Sequence, residues 1–295
     1  MILTDDAPLL VCLSDLHCGS SRALMPPGFR DTEDQGHEPN RFQDWLWGWW
    51  WDFHEWIERV AGDSPYSLLL NGDLIEGVHH GTTQLVTNDP ADHAKIALEV
   101  LAPLSERAER VYMVIGTEVH TKTTEHSIAQ RLGCVPSPLT RQPCHEKLWL
   151  RQNGVLIAVS HHIGTTGRQA LEATQLSIQL TEDQAQAARI GDPIPQMIVR
   201  SHRHVYGYYT DGDGSALVLP SWQFLTRHGH KVVPAARQRF GGAILDWRNV
   251  GANSLPEVRE RLYRFRMTGE AGDAFLSQSQ FAALGLQDAG GHNAE

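Results

Sequence analysis

Nowhere in its 295 residues does the chain hold the ~18 consecutive apolar residues that a membrane-crossing helix needs, so no membrane partner is expected. Cysteine is scarce. Cys12, Cys18, Cys134 and Cys144 include no Cys-x-x-Cys pair, which points to free thiols in a reducing compartment. The first residues are also short of positive charge: Asp5 and Asp6 stand where a secretory signal would be basic, and a cytoplasmic protein is expected. Lys and Arg number 25 against 35 Asp and Glu, and the net charge of -10 argues against broad, sequence-independent DNA binding. No basic stripe interleaved with aromatics, no His-Glu-x-x-His helix and no internal repeat is present.

What remains is an ordinary globular composition, 41% apolar and 20% charged, in a length suited to one large domain with appendages. One residue type is in excess. Sixteen histidines, several in pairs, are the first compositional hint of metal.

The organising stretch is Val11-Cys12-Leu13-Ser14-Asp15-Leu16-His17-Cys18-Gly19. An apolar run from Leu9 to Leu13 reads as a buried strand, and it delivers an aspartate and a histidine two residues apart. Both side chains are metal donors, and an aspartate and an imidazole at one strand end can grip one ion. Residues 19–41 are rich in Gly, Pro, Ser and Asp and read as a long loop, of the kind that serves as a lid or stays disordered. From Phe42 to Val60, apolar residues recur at helical spacing, with Trp45, Trp49, Trp50, Phe53 and Ile57 on one stripe. Trp47 and Trp51 fall off that stripe, which makes them candidates for cover by the preceding loop or for a homo-oligomer contact.

Four more apolar runs end in polar clusters. Tyr66–Leu70 leads to Gly72-Asp73, and Val111–Ile115 to Gly116-Thr117-Glu118-Val119-His120. Val155–Ser160 leads to His161-His162 after a hairpin turn at Asn153-Gly154, and Met197–Arg200 leads to Ser201-His202-Arg203-His204. Helices are expected over Ala91–Arg110, Glu125–Leu132 and Arg168–Arg189, and further strands over Tyr206–Thr210, Ser215–Leu219, Ala243–Trp247 and Val258–Phe265. Residues 1–267 then form the domain, with the loop and Trp-rich helix as an insertion at about 19–60, and 268–295 a flexible tail. Each histidine taken singly reads as a surface or hydrogen-bonded residue. Five clusters, each at the end of a strand, read as one site, because sheets with parallel strands gather ligand sites at those ends.

In these blocks the chain resembles the calcineurin-like metallophosphoesterases, whose ordered motifs are Asp-x-His, Gly-Asp, Gly-Asn-His, a lone His after a strand, and Gly-His-x-His. Four of the five match, in order, over residues 15 to 204, with Ser201 in place of the last glycine. The resemblance implies an α/β fold, a four-layer α/β/β/α sandwich of two mixed sheets flanked by helices. It also implies two divalent ions, manganese foremost, with iron, zinc, nickel or magnesium as alternatives. Asp15, His17 and His204 would hold the first ion, Asp73 would bridge, and His202 with His161 or His162 would hold the second. The third block departs from the pattern: Thr117 replaces the asparagine ligand, and Glu118 stands at the general acid's place. Either Glu118 ligates, or the loop shifts so that His120 reaches the site. The Gly-Thr-Glu-x-His form is similar to phage and prophage members of that superfamily.

Two ions about 3.5–4 Å apart activate water and clamp the oxygens of an in-line displacement at phosphorus. Arg168 and Arg203 are candidates to neutralise charge on that phosphorus, each weighed evenly against a surface salt bridge. Glu76, His79 and His80 follow the bridging aspartate and are supporting or loop residues as readily as ligands. The expected activity is a phosphoesterase, with a phosphodiester or nucleic-acid end ahead of a small or protein phosphomonoester. A catalytically weak metal-binding or assembly protein is the second reading, and a zinc hydrolase of amides or esters the third.

Overall fold

The computed structural model describes residues 1–79, 81–121, 123–164, 172–226 and 238–265. The first half carries β1 (Leu3–Asp5), β2 (Leu9–Leu13), α1 (Arg41–Ala61), β3 (Tyr66–Asn71), α2 (Pro90–Arg107) and β4 (Val111–Val114). Two short helices follow, α3 (Glu118–Thr121) and α4 (Thr124–Arg131), then the hairpin β5 (Leu148–Gln152) and β6 (Val155–Val159). Next come α5 (Glu172–Ile190), β7 (Met197–Arg200), β8 (Gly207–Thr210) and β9 (Ser215–Val218). The last strands are β10 (Phe240–Asp246) and β11 (Glu257–Tyr263).

These strands make two mixed sheets, in the orders β11-β10-β2-β3-β4 and β1-β5-β6-β7-β9-β8. Strand alternation sorts their side chains into layers. Leu10, Cys12, Leu69, Tyr112 and Val114 of one sheet meet Leu150, Ile157, Val159, Val199 and Leu217 of the other in a shared core. The opposite faces carry helices: α1 lies against β10 and β11, α2 against β3, and α5 against β8 and β9. Leu176 and Leu180 of α5 pack on Ala158, Ile198 and Val218. The result is the α/β/β/α layering expected from the sequence. Both faces of each sheet being covered explains the uninterrupted apolar runs of β2 and β6 and the full burial of β3 and β7.

Local signals set the element ends. Asn40 caps α1 in a reciprocal box with Gln43, and Asp89 caps α2 ahead of Pro90. Asn153 and Gly154 both take positive φ, 49° and 82°, the conformation a two-residue hairpin demands. Two elements escape the sequence reading: β1 and α3 are too short for periodicity to register. The α1 stripe is also narrower than expected. Leu46, Trp50, Phe53 and Ile57 are buried, while Trp45, Trp49 and Trp56 are half-buried. Trp47 and Trp51 are half-buried and stand edge-on to each other, 6.0 Å apart.

The 19–41 loop is packed rather than open. Ala23, Leu24, Met25 and Phe29 are buried, and the Asp31 carboxylate accepts from the Glu33 and Gln35 amides and pairs with His37. Arg168, the start of the expected helix at 168–171, His80 and the 268–295 tail lie outside the described residues. Among those described, no helix is long and apolar enough to cross a membrane.

A candidate metal centre

β2, β3 and β4 run parallel, as do β6 and β7, so the polar clusters that follow them gather at the same ends of the two sheets. The connecting loops lock to one another. Asp15 N–H donates to Gly72 O, His17 N–H to Asp73 O, and Ser201 N–H to His161 O. The approach is close enough to require glycine. A Cβ on Gly72 would lie 2.6 Å from Gly116 Cα, and one on Gly116 would lie 2.2 Å from Asp73 Oδ1.

Backbone strain concentrates here. Asp15, His17, Asp73, His202 and His204 all have positive φ, between 47° and 74°. Non-glycine residues adopt that region at a cost of order 1–3 kcal/mol each, and such strain clusters at functional sites. Five strained residues of metal-donor type in one place mark a site held for a purpose.

Among the described residues, four trios of donors have ligand atoms within 4.8 Å of one another. They are Asp15–His17–His204, Asp15–Asp73–His161, His161–His162–His202 and His17–Glu76–His120. The fit to metal can be tested on particular atoms. Asp15 Oδ1 is buried without a hydrogen-bond partner, and His204 Nε2 lies 3.3 Å from it. His17 Nε2 and His204 Nε2 face each other at 3.2 Å. Two imidazole nitrogens about 2.0–2.1 Å from one ion at a tetrahedral angle stand roughly 3.3 Å apart. These residues fit a divalent cation.

The ring tautomers suit ligation too. His17 Nδ1 donates to Glu76 Oε2 (2.9 Å), and His161 Nδ1 to the Asn71 carbonyl (2.6 Å). In each case the Nε2 lone pair is left facing the centre, the arrangement by which a second hydrogen bond orients a ligand histidine. His161 Nε2 lies 3.0 Å from Asp73 Oδ2. Asp73 also accepts from Thr117, at Oδ1 from the amide (2.6 Å) and at Oδ2 from the hydroxyl (3.0 Å).

Electrostatics agree. Burial acts against charge on His161, yet the Asp73 and Asp15 carboxylates raise its pKa to about 9. Burial opposes charge on His17 likewise, and Asp15, Glu76 and Asp73 still hold it well above the ordinary histidine range. Conversely, burial is outweighed at Asp73 and Glu76, where neighbouring histidines depress both carboxyls. The centre therefore attracts positive charge, and a divalent ion would compete for the same positions as those protons.

Each residue expected from the sequence can now be located. Asp15, His17, Asp73, His161, His202 and His204 converge, and His162 joins them from an exposed position with its ring 4.6 Å from that of His202. His120 sits at the other end, its ring edge-on to His17 at 4.9 Å, with Nδ1 donating to the Glu76 carbonyl. Glu118 is exposed at the start of α3 and belongs to none of the four trios; the Thr117 side chain makes the contact with Asp73 instead. Arg203 is buried between its two flanking histidines, and burial lowers its pKa.

Other contributors were not foreseen. Gln223 Nε2 donates to Glu76 Oε2 (2.6 Å), and Ser14 Oγ to Asp15 Oδ2 (2.7 Å). Glu125, on α4, is fully buried and accepts from the amides of Leu74 and Gly116, both at 2.8 Å. It thereby ties the residue after Asp73 to the residue before Thr117. Burial and the Asp73 charge push its pKa up to about 7. Nothing in sequence signals it, because a glutamate on a short helix reads as solvated surface.

No protein-family model matches the sequence, and no curated protein does. Solved structures of similar outline exist at low identity. One is an archaeal phosphodiesterase, 8% identical, covering 86% of this chain and 99% of that one with a TM-score of 0.43. Another is Vps29 of Chaetomium thermophilum, 9% identical over 90% and 100% of the two chains, TM-score 0.41. A third is a Zn-complexed Vps29 of Entamoeba histolytica, 10% identical over 86% and 98%, TM-score 0.38.

Proposed function

We propose that this chain is a divalent-metal-dependent phosphoesterase, with a phosphodiester or nucleic-acid end as its substrate class. The observation that carries the reading is the convergence of Asp15, His17, Asp73, His161, His202 and His204, five of them in strained backbone, about the unpartnered Asp15 Oδ1. Bound at these residues, a pair of divalent ions, manganese foremost, would supply Lewis-acid activation of water and of a phosphoryl oxygen.

The chain's own groups do the rest. Asp73, in contact with both His161 and Thr117, would be the carboxylate shared between the two ions. Glu76 fixes the His17 ring and, through its carbonyl, the His120 ring. With Nδ1 donating to that carbonyl, Nε2 is the His120 nitrogen left to face a departing alkoxide. Burial and His17 lower the pKa of the ring, so it would take up a proton from solvent before delivering one to the leaving group. Glu118, exposed and outside the trios, is the weaker choice for that role.

The diester preference draws support from the segments next to the centre. Arg22 lies 4.1 Å over the Phe42 ring, and Arg41 lies 4.8 Å over Trp45. Phe224, which packs on Phe42, directly follows the Gln223 that holds Glu76. The partly exposed Phe42 and Trp45 rings with these guanidiniums suit the bases of a nucleotide diester, with buried Phe224 as their backing. The test is hydrolysis of a bis-aryl phosphodiester by Mn-loaded protein against a metal-stripped blank. Metal-dependent turnover is expected. A protein that holds two ions and turns over neither diester nor monoester would instead be a metal-binding assembly protein. The half-buried Trp47–Trp51 pair on α1 would then be the surface to probe for self-association.

A further inference from the structure

The end of the centre around His202 has an unusual donor set. Thr117 is the polar side chain facing His202, with Oγ1 3.3 Å from Nδ1. A neutral hydroxyl is a poor metal donor, and this one is already committed to Asp73 Oδ2. His162 lies nearby: it is exposed, and its ring stands edge-on to His161 at 5.1 Å and to His202 at 4.6 Å. One nitrogen from each of the three rings comes within 4.8 Å of the others. Hydrogen bonds tie the other two residues in place. His161 is held by Asn71 and Asp73, and His202 through its amide by Asp15 Oδ2 (3.2 Å). A consecutive pair of imidazoles, one buried and one exposed, with a third facing both, is more than a phosphate-facing loop needs.

We propose that His161, His162 and His202 together form a three-imidazole site for the second ion, with His162 supplying the donor that Thr117 cannot. The proposal rests on the phosphoesterase reading and specifies which side chains hold that ion. It also fixes the class of cation. Three nitrogens and one carboxylate suit zinc, iron, cobalt, nickel or manganese, whereas magnesium demands oxygen and retains its waters. The second position therefore takes a transition-metal ion and rejects Mg2+.

The experiment is a Co2+ titration of metal-stripped protein, followed by calorimetry and visible absorption, with bound ions counted after dialysis. Wild type is expected to take up two Co2+, the one in the second position not displaced by millimolar Mg2+. In His162→Ala the first ion keeps its affinity. The second weakens at least about tenfold, the lower edge of what losing even an outer partner of a metal ligand costs. Adding Thr117→Asn should recover that affinity, because its amide oxygen projects where the hydroxyl now faces His202. Recovery separates a missing donor from a damaged fold. A second ion bound as tightly in His162→Ala as in wild type overturns the proposal and leaves the phosphoesterase reading standing. So does a weakening that Thr117→Asn leaves untouched. Wild-type protein that takes up no second ion removes the proposal and the two-ion mechanism together.

Discussion

The two ends of the candidate metal centre are built on different plans. At the His17 end, support is layered: Glu76 orients His17, Gln223 and His79 hold Glu76, and its carbonyl holds His120. His17 and Glu76 are both buried. At the His202 end, His162 is exposed and the third cluster offers only a hydroxyl. The difference separates two tasks. An end buried in hydrogen-bonded carboxylate and imidazole would present ready-made ligand geometry, while an end open to solvent is where the proposed phosphoester would enter. Asp73 and Asp15 join the two.

Asp73→Asn should have the largest effect, because it removes charge from both ends at once. Loss of several kcal/mol of transition-state stabilisation corresponds to about a 10³-fold fall in diester hydrolysis. Turnover within tenfold of wild type would show that the ends work independently. His120→Ala comes next, with kcat down by about 10²- to 10⁴-fold for an alkyl leaving group and far less for a nitrophenyl one, which needs no proton. Its ion count should stay at the wild-type value; a lost ion would make His120 a ligand.

Glu76→Gln is the sharper probe of the braced end. Removing the carboxylate behind His17 should weaken one ion by about 10- to 100-fold and leave the other unchanged. Equal weakening of both would erase the distinction between the ends.

The smallest effect on the centre should come from His54, remote from both ends. It is buried on α1 against Trp50 and Trp51, and burial draws its pKa down to about 4. The unfolded chain protonates this side chain near pH 6.5 and the folded chain only near 4. Its contribution is therefore complete above pH 6.5 and lost as pH falls from there towards 4. In His54→Phe, denaturant midpoints measured across that window should fall less steeply with pH, by on the order of 1–3 kcal/mol, with ion binding at pH 7 unchanged. An unaltered slope would mean that His54 binds its proton equally in the folded and unfolded states.

How much of this was legible beforehand varies by region. Runs such as Leu9–Leu13 and Val155–Val159 named their own strands, because burial on both faces favours apolar residues throughout. The clusters after them singled out Asp15, His17, Asp73, His202 and His204 as candidate donors by type and place in the chain, and the fold brings those residues together. The threonine at 117 was visible as a departure, yet its consequence was not. Which neighbour stands beside it depends on loops from β4, β6 and β7 meeting in space. Glu125 and Gln223 were illegible for the same reason: their partners Leu74 and Glu76 are far off in sequence.

The sequence by itself determined most of the strands and helices and which donor-type residues end them, because burial and donor type are properties of residues and their local spacing. The layered architecture came from the family resemblance those blocks carry. Tertiary structure alone decided that His120 rather than Glu118 turns towards His17. It alone set His162 beside His202 and placed a buried glutamate behind Asp73. Those outcomes depend on where separate loops close against one another, and no local pattern encodes a distance between residues a hundred positions apart.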